Sequence, residues 1–164
     1  GLKKPLAMIY KERDYSVVTQ NAKQTNIKSV KLLGDVKGKV AFLADDMLGT
    51  GGTLLKAMQF LQEQGATKVI AAISLPFFTG NAIELFDEAY KKGLFYRIIG
   101  TNAVYHEELL TKEWYISTDV SGLFANVITR IHHNQSIGNL LDNRTIIEKI
   151  VKSVEQNTSQ EEKN

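Results

Sequence analysis

Short apolar runs and stretches of helical period alternate along most of this chain. Residues 40–44 (VAFLA) form an unbroken apolar run between Gly38 and Asp45, the pattern of a buried strand in a parallel sheet. The period then changes, with Leu54, Met58 and Leu61 on one helical face and Gly65 as the stop. Residues 68–74 read as a second buried strand. Ile83, Phe86 and Tyr90 mark a second helix, closed by Gly93. A strand at 95–99, a helical turn at 107–112 and a strand at 114–117 follow. Leu123, Val127, Ile128 and Ile131 then define an amphipathic helix. Upstream, residues 6–10 read as a buried strand and 11–15 as a charged segment at its end. Residues 16–29 are polar, a mobile loop or an exposed hairpin, and 30–33 form a short strand leading to the turn at 34–38.

Strand and helix alternating from Val40 with short connections predict an α/β domain. Its parallel sheet is joined by right-handed crossovers. Ligands of such sheets bind beyond the carboxyl ends of the strands, which singles out the loops at Asp45, Leu75 and Gly100. A sheet that opens on a buried strand is expected to have an element upstream of it. At the other end, Ile146, Ile147, Ile150, Val151 and Val154 recur at helical spacing. Residues 157–164 have no apolar side chain, so they are expected to be disordered. The expected organisation is one domain over 1–141 and an extension over 142–164.

Composition narrows the chemistry by exclusion. A chain of 164 residues with 43% hydrophobic content builds one ordinary core. A net charge of +2, with scattered basic residues, argues against a nucleic-acid surface. Cysteine is absent, which rules out thiolate metal sites. No apolar run approaches the roughly 18–20 residues of a membrane span, and a cytoplasmic location is the expectation. His106, His132 and His133 lack a carboxylate at ligand spacing, so no metal site is expected within the chain.

The stretch after the first parallel strand carries the chemistry. Asp45 and Asp46 are followed by Gly49, Thr50, Gly51, Gly52 and Thr53 at the start of a helix. Consecutive N–H groups and two hydroxyls at a helix N-terminus attract an anion, phosphate above all, and glycines allow close approach to the backbone. Neither the dinucleotide fingerprint nor the Walker loop fits, because Leu54 and Leu55 stand where glycine or lysine is required. Adjacent strand residues face opposite ways, so one carboxylate can accept a vicinal diol while the other supports the loop. Phosphate seat and diol acceptor together describe a sugar phosphate. The same residues would also serve as an ordinary turn and cap beside a solvated carboxylate pair, and spacing does not choose between the two.

The segment 45–53 (DDMLGTGGT) resembles the ribose-phosphate loop of type I phosphoribosyltransferases. Together with 10–13 (YKER), 33–39 (LGDVKGK), 65–69 (GATKV), 78–82 (FTGNA) and 130–134 (RIHHN), in that order, it resembles ribose-phosphate pyrophosphokinases. Those enzymes transfer diphosphate from ATP to ribose 5-phosphate. The resemblance implies a phosphoribosyltransferase-like, Rossmann-like three-layer domain lacking its first strand and helix. It implies that Asp45 and Asp46 hold the ribose hydroxyls, that Thr50, Gly51, Gly52 and Thr53 seat the 5-phosphate, and that Gly49 belongs to the same ribose 5-phosphate site. Lys11 and Arg13 match a catalytic basic pair on a loop that closes over the ATP phosphates. Mg2+ is implied as cofactor with its ligands outside this chain, as are an ATP site lying mostly outside it and a homo-oligomer, a hexamer by family.

Three positions depart from the pattern: Gly49 stands in place of a third Asp, Leu75 in place of a His, and Gly138 in place of the second hydroxyl of a regulatory segment that keeps Ser136. The expectation is an isolated chain without synthetase activity. The alternatives are a non-catalytic regulatory homologue, or a phosphoribosyltransferase acting on the pyrophosphorylated sugar.

Overall fold

The computed structural model describes residues 4–13 and 27–161. The chain divides into two compact units, one over Leu6–Asp119 and a second that joins residues 4–5 to the described residues from Val120 onward.

In the first unit, β3 (Val40–Leu48), β4 (Lys68–Pro76), β5 (Arg97–Thr101) and β6 (Tyr115–Thr118) form a four-stranded parallel sheet in chain order. Consecutive neighbours joined by right-handed crossovers carry their helices on one face. Those helices are α1 (Gly52–Glu63) and α2 (Ala82–Lys91). Leu54, Met58 and Leu61 of α1 pack with Ala82, Phe86 and Ala89 of α2 over the buried row Val69, Ala71, Ile73 and Ile98. The helices stop where the glycines predict: the Ala66 amide returns to the Leu61 carbonyl after Gly65, and the Leu94 amide to Ala89 after Gly93.

Two expectations about burial are corrected. The first strand, β1 (Met8–Arg13), is not buried in the main sheet. It pairs antiparallel with β2 (Ile27–Leu33) in a separate two-stranded ribbon, with Met8 and Tyr10 each 53% exposed. An antiparallel pair can leave one face to solvent, and the alternation of exposed Met8 and Tyr10 with half-buried Ile9 is that pattern. The ribbon also carries the strand through 11–13, which sequence patterning assigned to a charged segment. Strand β3 is outermost in its sheet among the described residues. Val40 and Phe42, on the face away from α1 and α2, are each 57% exposed.

A ring cluster fills the end of this unit. Phe78 lies 5.3 Å from Phe86 and 6.0 Å from both Trp114 and Tyr115, and Phe95 closes edge-on against Trp114 at 5.7 Å. Asp87 of α2 fastens it: its carboxylate accepts from Trp114 Nε1 and from Lys112 Nζ, each at 2.7 Å. A 3₁₀ turn, Glu108–Thr111, brings Leu109 into the core and Glu108 within 3.1 Å of Lys112.

The second unit contains α3 (Ser121–His132), α4 (Gly138–Leu141) and α5 (Arg144–Glu161). Residues 157–161, expected as disordered, continue α5. They lack apolar side chains but contain neither Gly nor Pro, and nothing in them breaks a helix already nucleated by the preceding turns.

Candidate functional site

The site grows from the end of β3. Patterning gives an apolar run over 40–44 with Asp45 and Asp46 at the strand's end, and β3 continues to Leu48, with Asp45 opposite Ile73, Met47 opposite Leu75 and Leu48 opposite Pro76. Pairing with β4 overrides the poor strand propensity of two aspartates. Both carboxylates are therefore held on a rigid strand at its carboxyl end, and both are exposed. Asp45 stands in the row of Ile73 and Gly100, the row that α1 and α2 cover; Asp46 stands in the opposite row. The Asp45 carboxylate also accepts the Asp46 amide at 2.9 Å, which fixes its orientation.

Gly49 and Thr50 lead to Gly51, the N-cap of α1. Gly51 has φ +76°, and a Cβ built there would run into the ring of Phe86, so this position requires glycine on both counts. Gly52 is different: a Cβ there meets no atom within 4 Å, leaving the approach to the first turn open. The N-cap brings no side-chain acceptor and the first turn holds no acidic residue, so the positive end of α1 is neither capped nor neutralised by its own side chains. Thr50 and Thr53 flank it and are exposed. An anion placed there meets backbone N–H groups and two hydroxyls, with the carboxylate pair one loop away.

The loop after β4 braces this cradle. Phe78 and Thr79 donate their amides to the carbonyls of Leu48 and Gly49, each at 3.1 Å. Phe78 takes φ +45° to do so, with its ring buried in the aromatic cluster. This bracing escaped sequence reading, because nothing in residues 76–80 announces a left-handed phenylalanine. The third loop is tied down as well: Thr101 Oγ1 donates to the Ser74 carbonyl at 2.5 Å, and the hydroxyl of Tyr115 occupies the space a side chain at Gly100 would need. Burial pushes the Tyr115 phenol above its ordinary value, so it stays protonated.

Other expected residues sort as follows. Leu75 is half-buried and brings no polar atom to the site. At Gly49 a Cβ would meet only Thr79 Oγ1, at 3.7 Å, an ordinary contact, so a side chain can begin there without a clash. The backbones of Lys11 and Arg13 belong to β1, and their side chains lie outside the described residues. His106 packs edge-on to Phe78, centroid distance 6.2 Å, as a wall of the ring cluster. Among the described residues no group of three or more His, Asp or Glu side chains is placed to hold a metal ion. Asp45 and Asp46 point to opposite faces, so they do not form a magnesium site by themselves. Among the described residues no helix is long and apolar enough to cross a membrane.

The fold and this cradle define a class. A model of the phosphoribosyl transferase domain matches residues 1–109, and the chain belongs to that family, with a phosphoribosyltransferase fold. Among curated proteins it is similar to the ribose-phosphate pyrophosphokinase of Wolinella succinogenes, 36% identical over 128 residues that make up 77% of this chain and 40% of that one. It is likewise similar to ribose-phosphate pyrophosphokinase A of Dictyostelium discoideum, 36% identical over 136 residues, 82% of this chain and 39% of that one. The solved phosphoribosylpyrophosphate synthetase of Mycobacterium smegmatis superposes with a TM-score of 0.61 at 29% identity, covering 79% of this chain and 37% of that one. The chain spans about two fifths of the length of these relatives.

Proposed function

We propose that this chain is the ribose 5-phosphate-binding, C-terminal part of a ribose-phosphate diphosphokinase. The observation that carries this reading is the pairing of an uncapped, un-neutralised helix start at Gly51 with two strand-held carboxylates one loop upstream. In this reading the 5-phosphate accepts from the amides of residues 50–53 and from the hydroxyls of Thr50 and Thr53. Asp45 accepts the ribose hydroxyls, and Asp46 supports the turn from the other face. In the whole enzyme the anomeric oxygen of the sugar bonds to the β-phosphorus of ATP. The bond from the β-phosphorus to the bridging α,β oxygen breaks, and AMP leaves. Lys11 and Arg13 would place positive charge where negative charge grows on the transferred group. Magnesium, which the relatives' chemistry implies, finds no ligand set among the described residues, and no step assigned to this chain runs through it.

ATP would be held mostly by parts of the enzyme other than this chain, and a homo-oligomer, hexameric by analogy with the family, completes the proposal. A second reading, a non-catalytic regulatory homologue, is favoured by one specific observation. A Cβ at Gly49 meets no clash, yet the position carries no carboxylate. Thermal-shift titration separates the readings. A sugar-phosphate seat orders ribose 5-phosphate above 2-deoxyribose 5-phosphate and both above inorganic phosphate. A relic loop gives no shift with any of the three.

A further inference from the structure

The fold makes no use of the Thr79 side chain. The brace between the loops takes only its backbone amide, which donates to the Gly49 carbonyl at 3.1 Å, and any residue but proline supplies that bond. Phe78, at φ +45°, turns its own ring into the core and leaves Thr79 exposed beyond the carboxyl end of β4, where ligands of such sheets bind. There the Thr79 hydroxyl stands on the side-chain side of Gly49, 3.7 Å from the place a Cβ would take. Among the described residues no group bonds that hydroxyl. Gly49 has no side chain to cover it, and Gly49 is the link between the carboxylate pair and the start of α1.

Ionised carboxylates only accept hydrogen bonds, so Asp45 and Asp46 can take protons from sugar hydroxyls but cannot give one. A sugar oxygen that has given its proton to a carboxylate keeps two lone pairs, and that bond makes it a better acceptor. A threonine hydroxyl one loop away is the matching donor. A phosphate oxygen is the less favoured partner, because the amides of residues 50–53 and the hydroxyls of Thr50 and Thr53 already serve the phosphate. Resting on the sugar-phosphate reading of the cradle, we propose that Thr79 is a further ligand-binding residue. Its hydroxyl donates to a ribose hydroxyl oxygen beside Gly49 and favours a sugar phosphate over bare phosphate.

Thr79→Val keeps the side-chain shape and the backbone amide and removes only the hydroxyl. Calorimetry should show ribose 5-phosphate bound about three- to tenfold more weakly, the worth of one neutral hydrogen bond. Inorganic phosphate should shift the melting of wild type and variant equally, and the urea midpoint should not move. Thr79→Ser should restore the affinity. In a Gly49→Asp chain the new carboxylate competes for the hydroxyl, so adding Thr79→Val there should cost less than about twofold. Equal ribose 5-phosphate affinity in wild type and Thr79→Val overturns this assignment and leaves the cradle standing. So does a loss shared by inorganic phosphate, a loss that serine does not restore, or an undiminished loss in the Gly49→Asp chain. A wild-type chain that binds no ribose 5-phosphate overturns the cradle reading and this residue with it.

Discussion

Gly51 and Gly52 are adjacent in the chain, yet replacing each with alanine should produce opposite outcomes. At Gly51 the methyl group enters the ring of Phe86, which is fully buried, and the backbone must hold φ +76°. The left-handed conformation costs a residue with Cβ about 1–2 kcal/mol, and overpacking a core position about 1–3 kcal/mol. Gly51→Ala should therefore lose roughly 2–5 kcal/mol, a fall in Tm near 10 °C for about 3 kcal/mol in a chain of this size. At Gly52 the new methyl meets no atom within 4 Å and stands at the first position of a helix, where alanine is the better residue. Gly52→Ala should be at least as stable as the wild type in urea unfolding, by up to about 1 kcal/mol. Its cost should fall on ligand: a methyl in the open approach to the first turn should weaken ribose 5-phosphate binding at least tenfold. A Gly51→Ala chain as stable as wild type would refute the packing argument. A Gly52→Ala chain that binds normally would refute the placement of the phosphate.

Other outcomes follow from the same geometry. Gly49→Asp places its Cβ without a clash and adds an acceptor for a sugar hydroxyl, a bond to a charged group being worth about 1.5–3 kcal/mol before repulsion from nearby carboxylates. Calorimetry should show about tenfold tighter ribose 5-phosphate, and unchanged affinity would count against the assignment. Asp87→Ala strands the Trp114 N–H and leaves Lys112 with Glu108 as its remaining ion-pair partner, and should cost about 2 kcal/mol at neutral pH in a urea melt. Desolvation raises the Asp87 carboxyl, but hydrogen bonds from Lys112 and Trp114 outweigh it and leave it below the usual carboxylate range. Its stabilisation is thus present above about pH 4, the unfolded value, and disappears as pH falls through the lower folded value. The acid limb of a stability–pH curve should be shallower in Asp87→Ala. The isolated chain, given ATP, ribose 5-phosphate and magnesium, should release no AMP, and detectable ribose 5-phosphate-dependent AMP would overturn that expectation.

Much of the parallel sheet was legible because long apolar runs and helical periods leave few alternatives. The runs at 40–44 and 68–74 and the faces at Leu54–Met58–Leu61 and Phe86 all reappear in place. Errors fell where partners distant in sequence decide. Asp45 and Asp46 read as the end of the strand, yet pairing with β4 carries it on to Leu48. The pairing of β1 with β2 is set across an interval whose sequence carries no period. The tail of α5 is polar and so looked unstructured, although helix continuation needs no apolar residue. The Asp87 fastening joins residues 25 and 27 positions apart and leaves no local signature. For the site, the loop and its glycines were legible, whereas the separate duties of Gly51 and Gly52 required the position of Phe86.

The central claim is that strand-held carboxylates and an open helix start form one sugar-phosphate seat. Calorimetric titration of this chain with ribose 5-phosphate tests it most directly, with Asp45→Ala as the paired variant. Saturable one-to-one binding is expected, weakened about 10–100-fold by Asp45→Ala, the loss of a hydrogen bond to a charged acceptor. No heat with the wild-type chain, or equal affinity in the two, would contradict it.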